Sequence, residues 1–201
     1  MAEAPATRIT LLHRIRDIAD SDAWAEFATM YGPVVYGFAR KRGLQDADAA
    51  DVVQDVLRSV ARNAERLEYD PKRGTFRGWL YTVARNKIFN FLSSQRNRAR
   101  GVGDDGTANR LDNVADKHEG QEQEWELEYQ RRLSRLAMDS VEGEFQAPTW
   151  KAFWATAVDG KSAADIGREL GMSTGAVYVA KSRVLARLRE KVQQLQAEDD
   201  D

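Results

Sequence analysis

Apolar side chains recur at three- and four-residue spacing along most of this chain, and strand-like alternation is absent. The pattern predicts a short helix over Arg8–Ala19. A second helix covers Ala23–Ala39, with Trp24, Phe27, Tyr31, Val34, Val35 and Phe38 at helical spacing and Pro33 set to kink or break it. A long amphipathic helix follows over Ala47–Leu67, turning Val52, Val53, Val56, Leu57 and Val60 inward. Tyr69–Gly74 carries Asp-Pro-Lys-Arg-Gly, a loop signature. Thr75 then caps a helix to about Ser94, whose inner stripe is Phe76, Leu80, Val83, Ala84 and Phe91. Residues 100–120 hold few apolar positions and have the composition of a flexible, acidic linker. Helices resume over Gln121–Ser140 (Trp125, Leu127, Tyr129, Leu133, Leu136) and Pro148–Val158 (Trp150, Phe153, Trp154). The expected fold is all-α: two small helical domains, residues 8–99 and 121–196, joined by the linker 100–120.

Lys161–Arg189 is the most informative stretch. Ser162 can cap a helix with Ile166 and Leu170 on one edge. Gly171 supplies a left-handed residue for a sharp turn, and Ser173 caps a second, longer helix. That layout is a helix-turn-helix, whose second helix enters the DNA major groove. Val177, Val184, Leu185 and Leu188 fall on the arc expected to face the core. Tyr178, Val179, Ser182 and Arg183 fall on the opposite side, toward base edges. Thr174 and Gly175 lie at the helix start, where backbone N–H groups hold phosphate. Lys181 is expected to lay its stem on the core and reach outward to a phosphate. Arg187 and Arg189 suit either backbone contact or simple solvation. Of this exposed face only Arg183 offers the bidentate pattern for guanine, so the motif alone predicts weak DNA binding.

Charge sharpens the picture. The 201 residues carry a net charge of -2, which conceals two basic blocks around an acidic middle. Tyr69–Arg100 has 8 Lys/Arg against one acid, Asp104–Glu144 has 5 against 12, and Lys161–Lys191 has 7 against 3. Basic blocks mark phosphate-binding surface. In the first block Arg77, Tyr81, Arg85 and Phe89 form a stripe away from the expected core, with Trp79, Asn86 and Asn90 on another flank. Arginine, aromatic and amide groups together suit single-stranded nucleic acid; aromatics at this spacing equally suit a core. The chain has no cysteine, which excludes disulfides and thiolate metal sites and fits a cytoplasmic protein. His13 and His118 stand alone in charged contexts and read as surface residues. No cofactor is expected, and no membrane span or secretory signal.

Two segments together resemble a known family. Asp48-Ala-Ala-Asp-Val-Val-Gln-Asp-Val-Leu, followed by Tyr69-Asp-Pro-Lys-Arg-Gly-Thr-Phe-Arg-Gly-Trp-Leu-Tyr-Thr-Val-Ala-Arg-Asn-Lys-Ile-Phe-Asn-Phe-Leu, resembles region two of extracytoplasmic-function sigma factors. Gly171-Met-Ser-Thr-Gly-Ala-Val, with the Arg-Val and Leu-Arg pairs that follow, is similar to their region four. The resemblance spans roughly residues 23–98 and 125–195. It implies a non-enzymatic subunit that binds core RNA polymerase through the β′ coiled coil and the β flap. It also implies recognition of promoter DNA as melted minus-ten strand and as minus-thirty-five duplex, and an anti-sigma protein as a further partner. By position, Asp51, Gln54 and Asp55 match the polymerase-binding helix. Asp70, Lys72 and Arg73 lie in the loop that captures an extruded minus-ten base, a step that costs a few kcal/mol of unstacking. Arg77, Trp79, Arg85, Asn86 and Asn90 match the strand-opening helix. Thr174, Gly175, Tyr178, Val179, Lys181, Ser182 and Arg183 match the minus-thirty-five reader. The family often has Lys and Arg where this chain has Tyr178 and Ala180, and Asp at Asn90, which bears on the promoter sequence rather than on the class.

Two other readings compete. A stand-alone helix-turn-helix regulator with a helical dimerisation or sensing domain accounts for Lys161–Arg189 but leaves Tyr69–Arg98 unexplained. A nuclease would need Asp51 and Asp55, at i,i+4 on one helix, to share a cation; a solvated acidic face explains them more simply.

Overall fold

The computed structural model describes residues 8–64, 76–99 and 118–200, and every regular element among them is helical. They divide into two units, Met1–Arg132 and Leu133–Asp201.

The first unit holds α1 (Arg8–Arg14), α2 (Ser21–Lys41), α3 (Asp46–Ala64), α4 (Phe76–Ala99) and the N-terminal part of α5 (His118–Val141). α1 is shorter than the sequence suggests, because turns occupy the residues from Ile15 to Ala19. Asp20 accounts for the break. Its carboxylate accepts from Ala23 N–H at 2.8 Å, capping α2, and binds Arg14 at 2.9 and 3.0 Å. The hydrogen bond from Arg14, backed by the Ala23 N–H, holds the Asp20 carboxyl below its ordinary range. α2 runs without a break through Pro33. Pro33 sits on the exposed side of the helix, where water can satisfy the carbonyl that loses its N–H partner.

α3 packs on α2 and on α4. Its buried row is Ala49, Val52, Val56, Val60 and Ala64; Val53 and Leu57, also expected inside, are half-buried. Two aromatic groups fill the unit. Phe27, Tyr31 and Phe76 meet with ring centroids 4.8–5.8 Å apart. Phe38, Tyr81 and Trp125 meet at 5.3–5.9 Å. Each fully buried apolar side chain of this size contributes roughly 1.5–3 kcal/mol, and edge-to-face pairing adds to that.

The second group corrects the sequence reading. Tyr81, expected on an outer stripe of α4, is buried, because residues 118–132 of α5 cover that face. Of these residues, 118–120 were expected in the linker and 121–132 in the second domain; all fall in the first unit. Leu127, expected inside, is 53% exposed. The inner row of α5 is Trp125, Tyr129, Leu133, Ala137 and Val141, at strict four-residue spacing. The Thr75 cap and residues 100–117 of the expected linker lie outside the described residues.

The second unit packs the end of α5, α6 (Ala147–Ala157), α7 (Ala163–Leu170) and α8 (Thr174–Asp200). Ala137, Val141, Phe153, Val184 and Leu188 form one buried cluster. Ala152, Ile166, Val177 and Ala180 form the other, beneath the α7–α8 turn. The 3₁₀ turn Glu142–Glu144 is tied to α8 by Arg187, which grips the Glu144 carboxylate at 2.5 and 2.8 Å. That pairing raises the Arg187 guanidinium above its ordinary value and lowers the Glu144 carboxyl.

Candidate nucleic-acid interface

In the second unit the expected caps and turn are all present. Ser162 Oγ accepts from Asp165 N–H at 3.2 Å. Gly171 adopts φ 65°, ψ 28° and closes α7 through its N–H to the Gly167 carbonyl. Ser173 Oγ accepts from Ala176 N–H at 3.1 Å. The turn has a further requirement that the sequence pattern did not expose. A Cβ on Gly167 would stand 2.7 Å from the Met172 carbonyl oxygen, so the chain can fold back this closely only over glycine.

On α8, Thr174, Gly175, Tyr178, Val179, Ser182 and Arg183 are exposed, Tyr178 by 61%. An exposed tyrosine and valine on the first two turns of a cap-started helix form an apolar strip with one guanidinium beside it. Such a strip suits thymine methyl groups and one guanine rather than a run of phosphates. Lys181 departs from expectation. Its stem is half-buried as anticipated, but its ammonium points to the Thr156 carbonyl near the end of α6 at 3.5 Å. A cation there interacts favourably with the carbonyl end of that helix.

In the first unit, Asp51, Gln54 and Asp55 are all exposed on the outer side of α3. Arg58 bridges the last two, donating to Asp55 at 2.9 Å and to Gln54 at 3.1 Å. The sequence reading had no role for Arg58, although its i+3 and i+4 spacing to those acceptors is legible.

The structure separates the candidate strand-binding residues of α4. At about 100° per residue, Trp79, Asn86 and Asn90 share one flank, beside the Phe76 edge of the buried arc of Phe76, Leu80, Ala84 and Ile88. Asn90 is exposed, and Trp79 and Asn86 are half-buried, with Trp79 leaning on Phe76 at 5.6 Å. Arg85 is half-buried at the edge of that arc. Arg77 lies within it, only 20% exposed, 4.5 Å over the Tyr129 ring and 3.8 Å from Glu126. Asp70, Lys72 and Arg73 lie outside the described residues. No group of three or more His, Cys, Asp or Glu side chains suited to a metal occurs among the described residues, and no described helix is long and apolar enough to cross a membrane.

Comparison with known proteins falls on this geometry. Residues 27–98, which take in α3 and most of α2 and α4, match the family model of sigma-70 region 2. RpoE of Cereibacter sphaeroides, an extracytoplasmic-function RNA polymerase sigma factor, is 34% identical over 88 residues, 44% of this chain and 48% of that protein's length. The RNA polymerase sigma factor CnrH of Cupriavidus metallidurans is 29% identical over 83% of this chain and 84% of its own. CarQ of Myxococcus xanthus, likewise an RNA polymerase sigma factor, is 28% identical over 93% of this chain and 98% of its own. Among solved structures, CnrH in complex with the cytosolic domain of CnrY aligns over 94% of this chain with 21% identity and a TM-score of 0.36.

The chain is thus similar to sigma-70 region 2 over residues 27–98, and over most of its length to proteins that are RNA polymerase sigma factors. Over the 88 residues it shares with RpoE the chain is similar to an extracytoplasmic-function member of that class, and it spans about half the length of that relative.

Proposed function

We propose that this protein binds core RNA polymerase and directs it to promoters through two separate contacts, one on melted strand and one on duplex. The observation that carries the proposal is the conjunction in one chain of a region 2 domain and a helix-turn-helix whose reading face is exposed. The Asp51–Gln54–Asp55 face of α3 supplies carboxylates for a basic partner, the β′ coiled coil, and the second unit meets the β flap. Asp70, Lys72 and Arg73 and the Trp79–Asn86–Asn90 flank of α4 receive the minus-ten strand. An indole offers a stacking surface there and the amides offer base-edge hydrogen bonds. Tyr178, Val179, Ser182 and Arg183 enter the major groove of the minus-thirty-five element, with Thr174 and Gly175 at a phosphate.

No bond is made or broken by this protein in that scheme. It supplies binding energy that offsets strand opening. Because the α8 face presents a single well-placed guanidinium, affinity for duplex without polymerase is weak and grows when core enzyme adds its own contacts. An anti-sigma protein that covers these faces, and a cytoplasmic location, belong to the same proposal.

Run-off transcription with purified core polymerase tests it. A promoter-specific start dependent on this protein is expected, with only weak gel shift of the duplex alone. Failure to stimulate core enzyme on any genomic template, or tight sequence-specific binding without it, refutes it. The second outcome would favour a stand-alone regulator.

A further inference from the structure

We propose that Phe89, on the outer ridge of α4, is a stacking platform for an unpaired base, and that the ridge from Arg85 to Arg96 is a track for single-stranded DNA. The inference rests on the sigma-factor function proposed above and adds a contact to it.

Tertiary packing singles this residue out. Of the stripe Arg77, Tyr81, Arg85 and Phe89, Tyr81 is buried and Arg77 is held over the Tyr129 ring. Phe89 stays 49% exposed, and it is the only exposed Phe, Tyr or Trp among the described residues of the first unit. The far side of α4 is occupied. Leu80 and Ala84 are fully buried there, and Gln95 donates to Asp48 of α3 at 3.3 Å, seating the C-terminal half of the helix. The ridge that carries Phe89 therefore faces outward.

The surroundings of the ring select its partner. On the helix surface its neighbours at i−4, i−3, i+4 and i+7 are Arg85, Asn86, Ser93 and Arg96. Leu92, at i+3, is the one apolar neighbour and is half-buried. An apolar protein surface docks on a contiguous apolar patch, and one ring among polar groups is not such a patch. Charge points the same way. The 24 residues of α4 include Arg77, Arg85, Lys87, Arg96 and Arg98 and no Asp or Glu. A helix of that composition attracts a phosphate backbone. The phenyl ring decides which kind of nucleic acid. It has no hydrogen-bonding group with which to read a base edge, and in duplex the faces of the bases are hidden by their own stacking. Only an unpaired base offers its face to a ring. Arg85 and Arg96 stand on either side of Phe89, ~17 Å apart along the axis at ~1.5 Å per residue, and meet phosphates while the ring takes a base.

The ridge also continues the Trp79–Asn86–Asn90 flank. Asn86 lies ~60° around the helix from Phe89 and ~4.5 Å along it, so one strand crossing α4 touches both. Stacking tolerates any base. Phe89 thus sets how firmly an opened strand is held, and the neighbouring amides set which bases are preferred.

The test uses holoenzyme reconstituted from core polymerase and the full-length protein. It is titrated with fluorescein-labelled single-stranded oligonucleotides carrying either strand of the minus-ten region of a promoter it transcribes. Phe89→Ala should weaken binding of the strand that wild type prefers at least ~5-fold, the lower end for one lost stacked base. Phe89→Leu keeps apolar bulk but removes the π face, and should weaken binding nearly as much. Phe89→Tyr and Phe89→Trp should stay within ~2-fold of wild type. Affinity for core polymerase and the melting temperature should not change, because the ring is exposed. Wild-type binding by Phe89→Ala overturns the proposal. So does wild-type binding by Phe89→Leu, which would mean that the ring meets an apolar protein surface. A benzophenone side chain at position 89 gives a direct readout: irradiation of the promoter complex should crosslink it to DNA, and crosslinks to polymerase subunits alone overturn the track. Unaffected strand binding alongside a normal promoter-directed transcript removes Phe89 and leaves the sigma function standing. Absence of that transcript with wild-type protein overturns both.

Discussion

Replacing Gly167 by alanine sets two physical effects against each other. Gly167 lies inside α7, where alanine is favoured over glycine by about 0.5–1 kcal/mol. Propensity alone therefore predicts a stabilised protein. Against it stands the 2.7 Å approach of the added Cβ to the Met172 carbonyl oxygen, with Thr174 N at 3.6 Å. The obstacle is backbone, and it is pinned from the same residue: Met172 N–H donates to the Gly167 carbonyl at 2.8 Å. Relief requires opening the α7–α8 turn and lengthening that bond. Forced overpacking of this kind costs roughly 1–3 kcal/mol, so the net effect is about 1–2 kcal/mol of destabilisation. For a unit of this size that lowers the melting temperature by roughly 5–15 °C. Two comparisons isolate the cause. Gly171→Ala meets nothing within 4 Å but has φ +65°, so it should cost about 1 kcal/mol through backbone strain alone. Gly120→Ala, in α5 with open space around it, should be neutral or stabilising by up to ~1 kcal/mol. Thermal denaturation of the full chain, with peptide-resolved hydrogen exchange to assign the loss to α7 and α8, provides the measurement. A Gly167→Ala protein that melts at or above wild type would falsify the steric reasoning.

Further outcomes follow from the interface and the packing. Tyr178→Ala and Arg183→Ala should leave stability within about 0.5 kcal/mol, since both residues are exposed, while transcription from minus-thirty-five-dependent promoters falls. Arg183→Ala should also lose roughly 1–3 kcal/mol of discrimination at one base pair, read by run-off on promoters varied at each position; uniform loss at every position would contradict base reading. Asp51→Asn/Asp55→Asn should weaken association with core polymerase and flatten its salt dependence, and unchanged affinity would remove α3 from the docking face. Arg187 holds the Glu144 carboxyl below its ordinary range. The stability this contributes is fully present above the ordinary carboxylate pKa and is lost as pH falls through the lowered value. Melting of the second unit should therefore drop on acidification below about pH 4.5. Glu144→Gln should reduce that slope, with a cost at neutral pH of no more than about 1 kcal/mol because the pair is partly solvent-exposed.

Helix identity, the caps at Ser162 and Ser173, the left-handed Gly171 and the exposed face of α8 were all legible in the chain itself. Each depends on residues within about one helical turn of one another, and local chemistry suffices: a hydroxyl for an orphan N–H, a missing Cβ for a positive φ, a period near 3.6. The exposed acidic face of α3 was legible for the same reason. The fate of α4's outer stripe was not. Arg77 and Tyr81 carry the pattern of a nucleic-acid surface, yet Trp125, Tyr129 and Glu126 cover them from more than forty residues away. The need for glycine at Gly167, the turn of Lys181 toward Thr156 and the clamp of Arg187 on Glu144 have the same character. Helical periodicity states which face is apolar but not which segment will cover it. That choice is made only when distant helices compete to bury the same surface. The sequence therefore determined the helices and the family they resemble, whereas tertiary packing decided which of the candidate contacts are open and which are held by α5.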